Sequence, residues 1–191
     1  MTTTASMSFA PAERGIALRI LAAGTVVAGL DISYVGVYWV LIRRAITFEH
    51  LLQSIATGLL GRAAYDGGSS TAMLGAVLHF GIACAWSVLF ALAARYWGPL
   101  GRLLARPRGP VIAGLTYGGV VWLAMDLVVL PLSRARATTV LSWVFAAHFA
   151  QHTVMVGLPI ALIVGRAVCR AAGPLPPAST RVVYVRRRPG R

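Results

Sequence analysis

The fold is decided by residues 71–97, which read TAMLGAVLHFGIACAWSVLFALAARYW. This stretch is longer than the ~20 apolar residues that an α-helix needs to cross the hydrocarbon core of a bilayer. Three more stretches of the same kind lie at residues 15–42, 109–132 and 140–168. The pattern predicts an all-α membrane protein, built as a bundle of four transmembrane helices.

The composition leaves little chain for a water-soluble domain, because 58% of the 191 residues are hydrophobic and 12% are charged. We therefore expect one membrane domain over residues 15–170, between a disordered N-terminus (1–14) and a Pro-rich and Arg-rich cytoplasmic tail (171–191). The first stretch exceeds the apolar region of a cleavable signal peptide, which is about 7–15 residues long. It is expected to remain as a membrane span.

The basic residues predict how the chain is oriented. All 18 are arginines, and the net charge is +13. In a soluble protein this charge would indicate nucleic acid, but here the arginines flank apolar stretches and we expect no nucleic-acid partner. Thirteen lie in the N-terminal flank, the 95–108 connection and the C-terminal side, and five lie in the other two connections. The positive-inside rule then predicts cytoplasmic termini in a bacterial plasma (inner) membrane.

The connection over residues 45–62 has the pattern of an amphipathic helix. Its apolar side chains at helical spacing are Phe48, Leu51, Leu52, Ile55, Leu59 and Leu60. The residues expected on the opposite, polar face are Glu49, His50, Gln53 and Thr57. Such a helix is typical of the membrane–water interface. We predict that it lies on the outer surface, between spans one and two.

Small residues and prolines predict where the helices meet and bend. Gly114 and Gly118 are four residues apart in an apolar helix, a spacing that lets two helix backbones approach closely. Pro131 is expected to end or kink the third helix. Pro159 removes a backbone hydrogen bond and is expected to bend the fourth.

Each apolar stretch also carries ionisable or amide side chains. The predicted intramembrane polar cluster consists of Asp31, His79, Asp126, His148, Gln151 and His152. At about 1.5 Å per residue, all of them lie between the outer ends of the helices and the midplane. A charge inside hydrocarbon costs about 2.5–3.5 kcal/mol on insertion scales. These side chains must therefore be buried between helices, neutral or functional.

Three hypotheses fit this cluster. In the first, which we favour, it hydrogen-bonds helices together in a structural or accessory membrane protein. In the second, a vestibule from the outer face to Asp31 and His152 serves a proton-linked small-solute transporter, which would need a homodimer. In the third, His148, His152 and Met155 bind a metal ion, or His79 and His148 bind haem.

The third hypothesis is the weakest, because two histidines four residues apart carry little information without a third ligand. We expect no cofactor. The sequence has no Gly-rich phosphate loop and no nucleophile motif. It assigns no catalytic residue, and we do not expect an enzyme.

Several short segments are shared with a known family. They are residues 53–61 (QSIATGLLG), 67–68 (GG), 74–75 (LG), 78–80 (LHF), 114–118 (GLTYG) and 129–134 (VLPLSR). Through them, residues 20–155 resemble a family of uncharacterised bacterial four-helix membrane proteins, and more loosely the YagU-like inner-membrane proteins. The resemblance implies four spans. It brings no catalytic or binding residues.

The expected partners are those of a membrane protein. The lipid bilayer surrounds the four spans. The run Arg186, Arg187 and Arg188 in the tail is expected to contact anionic lipid head groups, which attract basic segments near the membrane surface.

Overall fold

The computed structural model describes residues 11–135 and 143–171. Over these ranges the chain is helical and contains no strand. Four helices are long and apolar enough to cross a membrane: Arg14–Ile42, Gly68–Tyr96, Gly109–Leu132 and Val144–Val168. The predicted all-α class and four apolar helices are confirmed. The tail with Arg186, Arg187 and Arg188 lies outside the described residues.

We number the helices along the chain, and three of the four long ones include turns of wider π-helix. The helices are α1 (Pro11–Gly36, continued by a π-helical turn at Val37–Ile42), α2 (Phe48–Leu60), α3 (Gly68–Tyr96), α4 (Gly98–Leu104), α5 (Gly109–Ala124, continued to Leu132) and α6 (Trp143–Gln151, continued to Ala171). Because α1 begins at Pro11, residues 11–14 are helical, although we expected them in the disordered segment.

The wider turns in α5 and α6 lie next to their prolines. Met125–Val129 precedes Pro131, and His152–Gly157 precedes Pro159. Proline has no N–H, and its ring crowds the preceding turn. A π-helical turn widens the backbone at such a position. Helix α6 continues through Pro159, whereas α5 ends at Leu132, one residue after Pro131, as expected. Each of these two turns carries one residue of the predicted polar cluster.

The backbones of α5 and α6 are in close contact. A Cβ added to Gly114 would lie 2.7 Å from the Leu158 Cα, and one added to Gly118 would lie 2.6 Å from the Thr153 Cα. Gly157 of α6 faces the same two glycines from the other side. These contacts confirm the close approach predicted at Gly114 and Gly118, and they hold the π-helical turn of α6 against α5.

Helix α2 is shorter than the predicted segment, and its ends have local causes. The Thr47 side chain accepts a hydrogen bond of 3.1 Å from the His50 backbone N–H, which satisfies one of the unpaired donors of the first turn. At the other end, Gly61 adopts a φ of +64°, a conformation that only glycine takes readily.

Helix α2 packs along α3. Gly75 of α3 lies against the Leu52 carbonyl, where a Cβ would overlap the backbone. The Gln53 amide donates a hydrogen bond of 3.0 Å to the Gly68 carbonyl at the start of α3. Gln53 and Thr57, which the pattern placed on the polar face, are therefore buried at 5% and 6% exposure.

A hydrogen bond of 3.0 Å from the Arg134 backbone N–H to the Gly58 carbonyl ties the end of α5 to α2. The ends of α1, α2 and α5 thus share one end of the bundle, which we call the α2 end. Arg14, Arg95 and Val168 line one groove at the opposite end. We call this the arginine-rich end.

Candidate functional site

A carboxylate and an amide join α1 to α6 in the interior. Gln151 Nε2 donates a hydrogen bond of 2.8 Å to Asp31 Oδ1. Gln151 is buried at 5% exposure, and the Asp31 side chain is 17% exposed. A carboxylate withdrawn from water needs hydrogen-bond donors to offset its lost hydration. Gln151 supplies one of them.

His79 of α3 approaches the same carboxylate from another side. Its Nε2 lies 3.1 Å from the Ala28 carbonyl oxygen and 3.7 Å from Asp31 Oδ2. The first distance is that of a hydrogen bond; the second is too long for one but close enough for an ion pair when the imidazole is protonated. Helices α1, α3 and α6 therefore meet at Asp31.

The two histidines of α6 are linked through the backbone of their helix. His152 Nδ1 lies 3.0 Å from the His148 carbonyl oxygen. When Nδ1–H donates this hydrogen bond, Nε2 of the neutral ring is left as an acceptor. The His148 ring packs edge-on against Tyr34, with 6.0 Å between the ring centroids.

Two buried polar atoms of this cluster, His148 Nε2 and Gln151 Oε1, have no hydrogen-bond partner among the described residues. A buried polar atom without a partner costs about 1–3 kcal/mol. The cluster is therefore not fully satisfied by the protein alone, and it retains hydrogen-bonding capacity beyond its helix-to-helix contacts.

A cavity of about 470 Å³ adjoins this junction. Asp31, His79 and His152 all line it. Its other polar lining residues carry hydroxyl groups and come from α2, the turn that follows it and the end of α5: Ser54, Thr57, Tyr65 and Ser133. The cavity therefore extends from the α2 end of the bundle to the Asp31 junction.

The inner part of the cavity is apolar. Val27, Val121 and Val156 line it together with the Trp86 ring. The Tyr117 hydroxyl donates a hydrogen bond of 2.6 Å to the Trp86 carbonyl, which fixes this part of α3 against α5. The cavity thus combines one carboxylate, two imidazoles and several hydroxyls with an apolar, partly aromatic wall.

The structure brings only part of the predicted cluster to this cavity. Asp31, His79 and Gln151 are in contact, and His152 lines the cavity. Asp126 interacts electrostatically with the histidines of α6 but is not among the cavity-lining residues.

The arrangement of the potential ligand side chains gives no support to the metal and haem hypotheses. In the part of the chain that the structure describes, no group of three or more His, Cys, Asp or Glu side chains is arranged to hold a metal ion. For haem, His79 would have to offer a ring nitrogen to iron. Its Nε2 instead lies against the oxygen atoms of Ala28 and Asp31.

The cavity-lining hydroxyls were not predicted from the sequence. Thr57 was assigned to the outward face of α2, and Ser54, Tyr65 and Ser133 had no role. The one available signal is that three of these residues fall within or just after the amphipathic segment. Hydroxyl residues are common at helix ends and turns, so this signal alone does not indicate a site.

Comparisons with known proteins assign no family to this chain. No family model matches it, no curated protein matches it, and no solved structure matches it. The resemblance to the four-helix family stays a prediction.

Proposed function

We propose that this chain is a multi-pass membrane protein that binds a small cationic solute in the cavity beside Asp31 and couples that binding to a proton. One observation carries the proposal: the Asp31 carboxylate, held by Gln151 and adjacent to His79, lines a cavity of about 470 Å³. That volume falls in the range of about 300–1,000 Å³ that is usual for small-molecule sites.

The lining chemistry supports a cation as the solute. Among the described residues, Asp31 is the one carboxylate on the cavity wall, and no Arg lines it. The face of the Trp86 ring can attract a cation electrostatically. The hydroxyls of Ser54 and Ser133 can accept hydrogen bonds from an ammonium or guanidinium group.

The proposed coupling of solute binding to a proton rests on the position of His79 beside Asp31. Imidazole is the side chain whose charge ordinarily changes near neutral pH. A protonated His79, 3.7 Å from Asp31 Oδ2, is a counter-ion for the carboxylate. A bound cation would repel that proton, so solute and proton would compete for the same negative charge. Intramembrane carboxylates and imidazoles serve proton relays in many transporters.

The proposal includes an orientation. The 13 arginines in the N-terminal flank, the 95–108 connection and the C-terminal side support cytoplasmic termini in a bacterial plasma membrane. The cavity would then open toward the outer face. Helix α2 would lie at the outer interface, a location supported by the half-exposed side chains of Phe48 and Leu59. Transport by four spans would need a homodimer.

A structural or accessory role is the second candidate, and a separate observation favours it. Gln151 with Asp31 joins α6 to α1, while His79 with Ala28 joins α3 to α1. Hydrogen bonds between membrane helices are worth ~0.6 kcal/mol on average. Such a role requires these bonds but no charge on Asp31.

The two candidates are separated by Asp31→Asn. The asparagine oxygen still accepts the hydrogen bond from Gln151, but the negative charge is lost. We would reconstitute the protein in liposomes containing a pH-sensitive dye and impose gradients of choline, guanidinium or ethanolamine. In the native protein we expect at least one cation to drive proton movement, and in Asp31→Asn none.

The control is Asp66→Asn, the same chemical change at an exposed position in the turn before α3. It should leave the flux unchanged. A native protein that moves no proton with any of the three cations, or an Asp31→Asn variant with native flux, would contradict the proposal and leave the structural role.

A further inference from the structure

A second concave site lies at the arginine-rich end, far along the bundle from Asp31. It is a groove of about 660 Å³ between the start of α1 and the end of α3. Arg14 and Arg95 line it, one on each helix. Both side chains are exposed. From this groove we infer a binding site for one anionic phospholipid of the surrounding membrane.

The two arginines stand at one end of an apolar strip. On α1, Leu18 follows Arg14 by four residues and is 67% exposed. On α3, Leu92 precedes Arg95 by three residues and is 47% exposed. Val88 lies one turn earlier on the same helix and is 39% exposed. Residues three or four apart share one face of a helix. All five line the same groove, so its polar end continues directly into an apolar channel.

The polar end lies at the level where a lipid phosphate would be. The Arg95 guanidinium carbon is 5.8 Å from the centre of the Tyr96 ring, and Tyr96 is 79% exposed. The next residue, Trp97, is 61% exposed. Exposed Tyr and Trp at the end of an apolar helix are typical of the head-group region.

Charge complementarity selects an anionic lipid over a zwitterionic one. Five residues of the chain are acidic, and four of them, Asp31, Glu49, Asp66 and Asp126, lie in the interior or toward the α2 end; Glu13 is the exception. Further arginines follow at positions 102, 106 and 108. Guanidinium groups bind phosphate through paired, charge-assisted hydrogen bonds.

The floor of the groove suits an acyl chain. Ala91 at 6% exposure and Val168 at 1% form its base, and neither carries a polar side chain. A lipid seated there places its phosphate between Arg14 and Arg95 and one acyl chain along Leu18 and Leu92. The site is independent of the Asp31 cavity and does not rest on the proposed function.

The test is lipid binding to the purified full-length protein, measured by native mass spectrometry in detergent with added phosphatidylglycerol or phosphatidylcholine. We expect one phosphatidylglycerol to bind in preference to phosphatidylcholine. The double variant Arg14→Gln/Arg95→Gln should weaken this binding about thirtyfold, given the usual contribution of an arginine near anionic lipid. The matched control, Arg43→Gln/Arg62→Gln at the α2 end, should bind as the native protein does.

A third variant tests the apolar channel with both arginines in place. Ala17 lines the groove and is exposed, so Ala17→Phe fills it without disturbing the core. We expect it to lower phosphatidylglycerol binding as well. The proposal would be overturned by equal affinity for the two lipids. It would also be overturned if the double variant bound phosphatidylglycerol as the native protein does, or if the control variant lost as much binding as the double variant. So would a finding that Ala17→Phe dissociates a dimer and leaves lipid binding intact, because a second copy would then occupy the groove.

Discussion

Gln151 on α6 donates a hydrogen bond of 2.8 Å to Asp31 on α1, and this bond joins the last long helix of the chain to the first. The two residues are 120 positions apart in the sequence. Both are withdrawn from water, so each depends on the other to satisfy part of its hydrogen-bonding capacity.

Removing the acceptor tests how much this bond stabilises the bundle. We expect Asp31→Leu to lower the free energy of unfolding by about 1–3 kcal/mol, because it leaves the buried Gln151 amide without a partner. Asp31→Asn keeps an acceptor and should cost much less. Thermal unfolding in detergent measures both. Asp66→Leu, at an exposed position, is the control and should keep the native stability. If Asp31→Asn lost as much free energy of unfolding as Asp31→Leu, the charge itself, and not the hydrogen bond, would stabilise the fold.

Replacing Gly118 tests the contact between α5 and α6. The added methyl group of Gly118→Ala would meet the backbone of Thr153, which has no room to yield. We expect the free energy of unfolding to fall by about 1–3 kcal/mol, the usual cost of overpacking. Gly81→Ala, where nothing lies within 4 Å of the new methyl group, should stay within about 1 kcal/mol of the native protein. Equal stability of both variants would mean that the helices are not in backbone contact.

Cysteine labelling tests the orientation. In a background with Cys84 and Cys169 replaced by alanine, single cysteines are introduced at Ser69, near the α2 end, and at Ala105, in the arginine-rich connection; both positions are exposed. In intact bacterial cells, an impermeant maleimide should label position 69 alone. Position 105 should react only after the membrane is permeabilised. The reverse pattern would invert the topology and direct the cavity toward the cytoplasm.

The four long helices were predictable because the length and polarity of an apolar run are local properties of the sequence. The apolar segments Arg14–Ile42, Gly68–Tyr96 and Gly109–Leu132 lie within three residues of the predicted bounds. That Asp31, His79 and Gln151 lie at similar depth also followed from the spacing of charges along the chain.

The pairing within the cluster was not predictable. Depth along a helix is set by position in the sequence, but the direction in which a side chain points depends on how each helix is rotated. That rotation is set by contacts such as Gly24 against Cys84 and Gly118 against Thr153. Without them, Asp126 was as good a candidate for the junction as Asp31.

The predicted polar face of α2 was wrong at Gln53 and Thr57, for a related reason, whereas Glu49 and His50 are exposed as expected. Gln53 was expected to face away from the apolar side, because its side chain is polar. Its amide instead donates to the Gly68 carbonyl at the start of α3, which also accepts a hydrogen bond from the Thr71 hydroxyl. A tertiary partner decided this orientation, and sequence periodicity carries no information about it.

The glycine contacts divide the bundle into two halves. Gly24 of α1 lies against Cys84 of α3, and α5 lies against α6 at Gly118. Within each half the backbones are too close to slide without steric overlap. Between the halves, side-chain hydrogen bonds join Gln151 of α6 to Asp31 of α1 and Tyr117 of α5 to the Trp86 carbonyl of α3. Any movement of one half against the other would therefore have to stretch or break both hydrogen bonds. A proton or a cation at the Asp31 carboxylate would weaken the hydrogen bond from Gln151, because an ionised carboxylate is the stronger acceptor.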